Sequence, residues 1–117
     1  NNLIIYNPEV DKTIINKVGS TIDVLPTIYN LFGVEYDSRL MIGTDILSDS
    51  ETYAIFGNNS WVSNKGIYYA STGQFILNDG ETVDDDYLKR TNTIVNNKIS
   101  MSLLIAKNDY YRLVWPN

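Results

Sequence analysis

"TYAIFGNNSWVSNKGIYYASTGQFILN", residues 52–78, is the stretch of sequence that decides the fold. It is rich in aromatic and β-branched residues, and short groups of Asn, Gly and Ser interrupt it, which is typical of strands joined by tight turns. We predict four strands, at residues 52–56, 61–63, 67–71 and 74–78. The Asn64-Lys65-Gly66 segment suits a three-residue hairpin turn with the glycine in the left-handed region. The predicted product is an antiparallel meander.

A long helix is predicted after the meander. Thr82, with Asp85 three positions later, resembles a capping box, and the helix should end near Asn108. Residues 84–86 are all Asp and would lie in the first turn, where the helix dipole favours anions. An apolar stripe at helical spacing could cover one face of the meander: Leu88, Val95, Ile99, Leu103 and Ala106. An aromatic-rich tail, residues 109–116, is expected to pack against this unit.

The residues before the meander predict a strand, a shorter helix and a loop. Residues 3–6, "LIIY", form a continuous apolar run of the kind found in strands that are buried on both faces of a parallel sheet. Asp23 is the predicted N-cap of the helix, and Gly33 suits its left-handed end. Pro26 then falls at the third helical position, where its missing N–H has no helical acceptor. The Asp23 carboxylate should therefore accept a hydrogen bond from the N–H of Leu25.

Composition excludes several classes of function. The chain has 117 residues, a net charge of −5, and only nine Lys and Arg, which are scattered apart from the adjacent Lys89 and Arg90. This pattern argues against a nucleic-acid partner. No apolar run reaches the length of roughly 18 residues that a membrane-spanning helix needs. There is no Cys and no His, so the chain offers neither a thiolate nucleophile nor an imidazole base or ligand.

The candidate carboxylates do not specify an active site. Asp23, Asp45 and Asp49 could serve in acid–base work, but nothing in the sequence places two of them together. Asp45 is better explained as a brace that accepts backbone N–H bonds within its loop. The acidic triplet 84–86 does not predict a metal site, because successive side chains on a helix point about 100° apart.

Two other patterns leave alternatives open. Trp61, Tyr68, Tyr69 and Tyr53 could form an aromatic platform for sugars or bases, but alternate strand positions face opposite ways, so some must be core. Residues 58–60, Asn-Asn-Ser, match a glycosylation acceptor and also describe a turn, which we favour.

Two motifs carry a resemblance to a known family. Residues 22–27, "IDVLPT", with a helix closing on Gly33, and residues 43–47, "GTDIL", resemble the C-terminal part of the alkaline phosphatase/sulfatase superfamily. They look most like lipoteichoic acid synthase-like phosphoglycerol transferases. The segments "SWVSNKGIYYAS", residues 60–71, and "NDYYRLVW", residues 108–115, support the same resemblance.

The resemblance implies an enzyme that is anchored in the membrane and works at its extracytoplasmic face. Such an enzyme transfers glycerol phosphate from a phosphatidylglycerol-type lipid, using a threonine nucleophile and a divalent metal, typically manganese. The motifs for this chemistry lie upstream, so no catalytic, cofactor-binding or metal residue is assigned to this chain. Thr27 and Thr44 lack the context of the nucleophile motif. The expected partner is the upstream catalytic half of the same polypeptide.

These observations predict a C-terminal fragment of α/β to α+β class. Residues 1–51 would supply one strand and helix of the α/β core, and residues 52–117 a four-stranded antiparallel meander packed on a long C-terminal helix. The expected role is non-catalytic: to complete and buttress the enzyme's fold. The alternatives are the C-terminal region of a sulfatase or a phosphoethanolamine transferase, and an independent Tyr/Trp-rich module that binds cell wall.

Overall fold

The antiparallel meander is the central element of the chain. A computed structural model describes residues 2–9 and 11–114. Its four strands lie in chain order, each antiparallel to the next, which confirms the predicted α+β meander. The strands are shorter than predicted: β1 is Ala54–Ile55, β2 is Trp61–Val62, β3 is Gly66–Tyr69 and β4 is Gln74–Leu77.

Three α-helices accompany the sheet in the described residues. They are α1 (Val24–Leu31), α2 (Tyr87–Lys107) and α3 (Tyr110–Val114), and short 3₁₀ turns occupy Thr21–Asp23 and Ser38–Leu40. Helix α1 ends as predicted, with Gly33 at a φ of 63°. The N–H of Val34 donates to Tyr29 O at 2.8 Å and that of Gly33 to Asn30 O at 3.1 Å, which is the Schellman pattern. No helix among the described residues is both long and apolar enough to cross a membrane.

The hydrophobic core is an aromatic cluster between the sheet and helix α2. The strand register aligns Trp61 with Tyr68, and Tyr68 with Phe75, so one face of the sheet carries a row of rings. Trp61 is fully buried, with ring centroids 5.5 Å from Tyr68, 5.6 Å from Phe75 and 6.2 Å from Tyr87. Val95 of α2 is buried beside them. The part of the predicted stripe that covers the sheet is therefore the first half of α2.

The glycine of the hairpin between β2 and β3 has a different role from the one predicted. Gly66 begins β3 and does not adopt a positive φ. A Cβ at this position would lie 2.3 Å from Ile76 O and 2.7 Å from Phe75 Cζ. Glycine is required here because the neighbouring strand and its ring approach too closely for any side chain.

The start of the long helix was predicted too early. Helix α2 begins at Tyr87, so residues 84–86 precede it and do not form its first turn. Asp84 instead forms a two-pronged ion pair with Arg90, with both N···O distances 2.8 Å. The Arg90 guanidinium lowers the pKa of this exposed carboxyl to about 2. The predicted end is confirmed, because the last helical residue is Lys107.

The strand predicted at residues 3–6 does not form. Leu3 and Ile5 are about half exposed, Ile4 and Tyr6 are 85% exposed, and no described strand pairs with them. A strand buried on both faces needs neighbouring strands and covering helices, and the described part of the chain does not bring these elements to residues 3–6. At the other end, the predicted aromatic tail includes α3, while residues 115 and 116 lie outside the described residues.

Removing the central ring should unfold the sheet unit. We expect Trp61→Ala to lower the free energy of unfolding by about 3–5 kcal/mol, because the ring fills the core and leaves a cavity. Phe56→Ala is the control, since this ring is 53% exposed and its loss should cost less than about 1 kcal/mol. Urea unfolding followed by circular dichroism measures both values. Equal losses would mean that Trp61 does not organise the core.

Candidate functional site

The two motifs of residues 22–27 and 43–47 meet in space around a buried carboxylate. Asp23 is 2% exposed. Its Oδ1 accepts the N–H of Thr44 at 2.7 Å, and its Oδ2 accepts the N–H of Ser20 at 2.8 Å. The Thr27 hydroxyl donates to Asp23 O at 2.6 Å and accepts the N–H of Ile46 at 3.0 Å. Two side chains at the start of α1, those of Asp23 and Thr27, therefore bind the backbone of the loop of residues 43–47.

Gly43 allows this close approach. A Cβ at Gly43 would lie 1.9 Å from Ile22 O and 3.0 Å from Asp23 Cα. Both neighbours are backbone atoms that cannot rotate away. We call this group, Asp23, Thr27, Gly43, Thr44 and the Lys98 described next, the motif junction.

Helix α2 reaches the motif junction through Lys98. The half-buried Lys98 ammonium donates to Thr44 Oγ1 at 3.0 Å and to Ile42 O. Burial lowers the pKa of Lys98 from its ordinary value, and the Asp23 carboxylate acts in the opposite direction. The junction therefore contains two charges of opposite sign, with Thr44 bonded to both.

The structure corrects the predicted role of Asp23. Asp23 is the N-cap residue of α1 and Pro26 occupies the third helical position, as predicted, but the Asp23 side chain makes no cap bond to this helix. It closes a capping box on the preceding 3₁₀ turn, whose N-cap is Ser20, and crosses to Thr44. The expected bond from the N–H of Leu25 is not formed. Asp23 therefore joins the 3₁₀ turn to the loop at Thr44, whereas the sequence predicted only a local cap.

The other candidate carboxylates act within their own loops. Asp45 accepts the N–H of Leu47 at 2.9 Å, which confirms the predicted brace, and also the side-chain amide of Asn30 at 2.7 Å. Asp49 lies exposed in a bend. Within residues 2–9 and 11–114, no three carboxylates converge in a way that could hold a metal ion.

A second polar cluster, which sequence reasoning missed, surrounds Glu51. Its two carboxylate oxygens accept the hydroxyls of Tyr53 at 2.9 Å and Tyr87 at 2.7 Å. Burial, together with the Glu51 charge, raises the pKa of Tyr87 to about 12 and raises that of Tyr53 as well. Ser63 Oγ lies 3.0 Å from the Tyr87 hydroxyl. Glu51 thus ties the loop before the sheet to the start of α2.

The aromatic residues do not form a platform as a group. Trp61 and Tyr53 are buried, and Tyr68 packs against the core. Tyr69, 41% exposed, faces the opposite side of the sheet, where an open groove is also lined by Phe56, Val62 and Ile67. Residues 58–60 form a turn, in which Asn58 Oδ1 accepts the N–H of Ser60 at 3.1 Å and Asn59 has a φ of 64°.

The motif junction is a closed structural site. Among the described residues, every buried side-chain nitrogen or oxygen has a hydrogen-bond partner. The Thr27 and Thr44 hydroxyls and the Asp23 carboxylate are all engaged with the chain's own groups. The arrangement therefore holds two loops and a helix in a fixed relation.

Comparison with known proteins finds three relatives in Bacillus subtilis (strain 168). The chain is 31% identical to lipoteichoic acid synthase 2 over 117 residues, which cover 97% of this chain and 18% of the relative. It is also 31% identical to lipoteichoic acid synthase-like YvgJ over 96 residues, covering 80% of this chain and 15% of the relative. Lipoteichoic acid synthase 1 is 31% identical over 101 residues, with shares of 80% and 15%. No family model and no solved structure matches the chain.

Substituting Gly43 tests the close approach. We expect Gly43→Ala to destabilise the fold by about 1–3 kcal/mol or more, because the added methyl meets backbone. Gly57→Ala is the matched control, since a Cβ there meets nothing within 4 Å, and it should change stability by less than about 0.5 kcal/mol. Denaturant unfolding compares the two. A tolerated Gly43→Ala variant would show that the motifs do not touch.

Removing the Asp23 carboxylate tests the junction's buried hydrogen bonds. We expect Asp23→Ala to cost more than the loss of an ordinary cap, about 2–5 kcal/mol, because the N–H groups of Thr44 and Ser20 lose their acceptor in a buried setting. Asp49→Ala, at an exposed bend, should change stability by less than about 0.5 kcal/mol. A loss of only about 1 kcal/mol for Asp23→Ala would fit a simple cap instead.

Proposed function

Since this chain is related in sequence to lipoteichoic acid synthases over 80 to 97% of its length, we propose that it is the C-terminal region of such an enzyme. Its role is to complete and support a catalytic unit whose reacting residues lie upstream. The whole enzyme transfers glycerol phosphate from a phosphatidylglycerol-type lipid at the extracytoplasmic face of the membrane, and diacylglycerol leaves.

The observation that carries the proposal is the unequal coverage of the alignments. The chain spans less than a fifth of the length of the curated relatives it matches, while up to 97% of the chain is aligned. A polypeptide of the relatives' length therefore has room for a separate catalytic unit before or after the matched region.

Exposed apolar surface supports the same proposal. Leu3, Ile4, Ile5 and Tyr6 are at least half exposed, and on and beside α1 Leu25 is 47%, Leu31 48% and Phe32 78% exposed. Contiguous exposed apolar patches mark interaction surfaces. Burying them against another part of the polypeptide stabilises the assembly by roughly 25 cal/mol per Å². We infer that residues 3–6 become a strand when that neighbour is present.

The available side chains favour a supporting role. The sequence has no His or Cys, and the carboxylates of Asp23, Asp45 and Glu51 are bonded to groups of this chain. The described residues do not fit a metal ligand set, so we assign the divalent metal, proposed to be manganese, to the upstream unit. No step of the transfer is routed through Thr27 or Thr44.

The competing functions gain no specific support from the contacts. A glycan platform would use Trp61 and Tyr53, but both side chains are buried in the core. A sulfatase or a phosphoethanolamine transferase would differ from the proposed enzyme in upstream residues that choose the leaving group and acceptor.

Activity measurements on the whole polypeptide and on the isolated chain test this proposal. We expect the polypeptide that carries this chain to release diacylglycerol from phosphatidylglycerol vesicles in the presence of manganese. Residues 1–117 alone should show no turnover above a boiled control, because we assign the nucleophile and the metal ligands to the upstream unit.

The sequence before Asn1 in the whole polypeptide, and a variant of its expected nucleophile, complete the test. We expect an Asp-His pair there and a threonine nucleophile further upstream, whose replacement by Ala should abolish diacylglycerol release. Turnover by residues 1–117, or an initiating Met directly before Asn1, would overturn the proposal.

A further inference from the structure

We propose that Lys98 is a positioning residue that fixes helix α2, and with it the sheet, against the loop of residues 42–46 by binding the Thr44 hydroxyl, while Asp23 binds the Thr44 N–H. This proposal goes beyond the proposed function and does not depend on it.

Thr44 is held by two different elements. Its N–H donates to Asp23 Oδ1 at 2.7 Å, which joins it to the start of α1. Its hydroxyl oxygen accepts from Lys98 Nζ at 3.0 Å, which joins it to α2. Lys98 is 54 residues away in sequence, so this contact spans the two units that the sequence predicts. Thr44 therefore connects the loop to both α1 and α2.

The position of Lys98 along α2 allows its contact to connect the sheet and core with the loop. The core residues Tyr87 and Val95 anchor the first half of the helix to the sheet. Lys98 lies one turn beyond Val95 and turns toward the loop, whereas Leu103 and Leu104, further along, are each 55% exposed. The core fixes α2 on the sheet, and Lys98 fixes that combined unit on the motif junction.

The energetics favour a positioning role over a stabilising one. No carboxylate of the described residues forms a salt bridge with Lys98, so neutral oxygens replace the water around its ammonium. Burial lowers its pKa, which means that the charged form loses hydration in the folded chain. A half-buried charge of this kind adds little net stability, but its hydrogen bonds have a defined direction. An apolar side chain of equal length could fill the space without holding Thr44.

Three variants separate these contributions. Lys98→Met keeps the unbranched side chain and removes the ammonium. Thr44→Val keeps the branched shape and the N–H bond to Asp23 but removes the acceptor oxygen. Lys89→Met is the matched control, because Lys89 is an exposed lysine on the same helix.

Hydrogen exchange on the polypeptide that carries this chain is the measurement. In Lys98→Met and in Thr44→Val, the amides of Thr44 and Ile46 should exchange at least about tenfold faster, the loss expected for a hydrogen bond to a charged group. The amides of β2 and β3 should keep the wild-type rate, as should every amide in Lys89→Met. The double variant should match Lys98→Met, because that single variant already removes the bond to Thr44 Oγ1, while the bond from Lys98 to Ile42 O persists in Thr44→Val.

Two results would overturn the proposal. One is exchange at Thr44 within about twofold of wild type in Lys98→Met, which would mean that the ammonium does not hold the loop. The other is an equal acceleration in the loop and in the sheet, which would assign Lys98 to global stability.

Discussion

The burial of Trp61 is the interaction on which the rest of the chain's architecture depends. Its indole stands on β2, the second strand of the meander, and contacts rings from β3, β4 and the start of α2. The indole N–H donates to Asn92 Oδ1 at 2.9 Å, so the ring fixes the rotation of α2 as well as its distance from the sheet. That rotation turns Lys98 toward the loop. The contact between Trp61 and Asn92 thus helps to set the orientation of α2 in which Lys98 reaches Thr44.

The motif junction depends on a second constraint, the absence of a side chain at Gly43. Because the loop backbone can lie against Ile22 O, the N–H of Thr44 comes within 2.7 Å of Asp23 Oδ1. A methyl group would force the two backbone segments apart and leave Asp23 Oδ1 buried without the N–H of Thr44. The two motifs that carry the family resemblance are therefore one structural unit, because Gly43 allows the close approach that the bond between Asp23 and Thr44 requires.

Sequence reasoning succeeded where the signal is local and failed where it is distant. The meander and the end of α1 at Gly33 follow from neighbouring residues, and both were predicted. The partner of Asp23 lies 21 residues away, and that of Lys98 lies 54 residues away, so no spacing rule could find them. The start of α2 was predicted too early: the helix begins at Tyr87, and Asp84 pairs with Arg90, six residues further on. The strand at residues 3–6 was predicted from its composition, but among the described residues no strand lies beside it.

In this chain, buried polar groups define the geometry while much apolar surface stays exposed. In the described residues, the buried hydrophobic core contains only Tyr53, Trp61, Tyr87 and Val95, whereas six polar residues are also buried. Two of these, Asp23 and Thr27, bind the backbone of the loop that contains Thr44 and Ile46. Buried hydrogen bonds specify geometry but add little net free energy, because each replaces bonds to water. Burial of apolar surface must offset the entropy of ordering the chain. The apolar surface that could do so is exposed on α1 and residues 3–6, and covering it would stabilise a geometry that the polar contacts have already set.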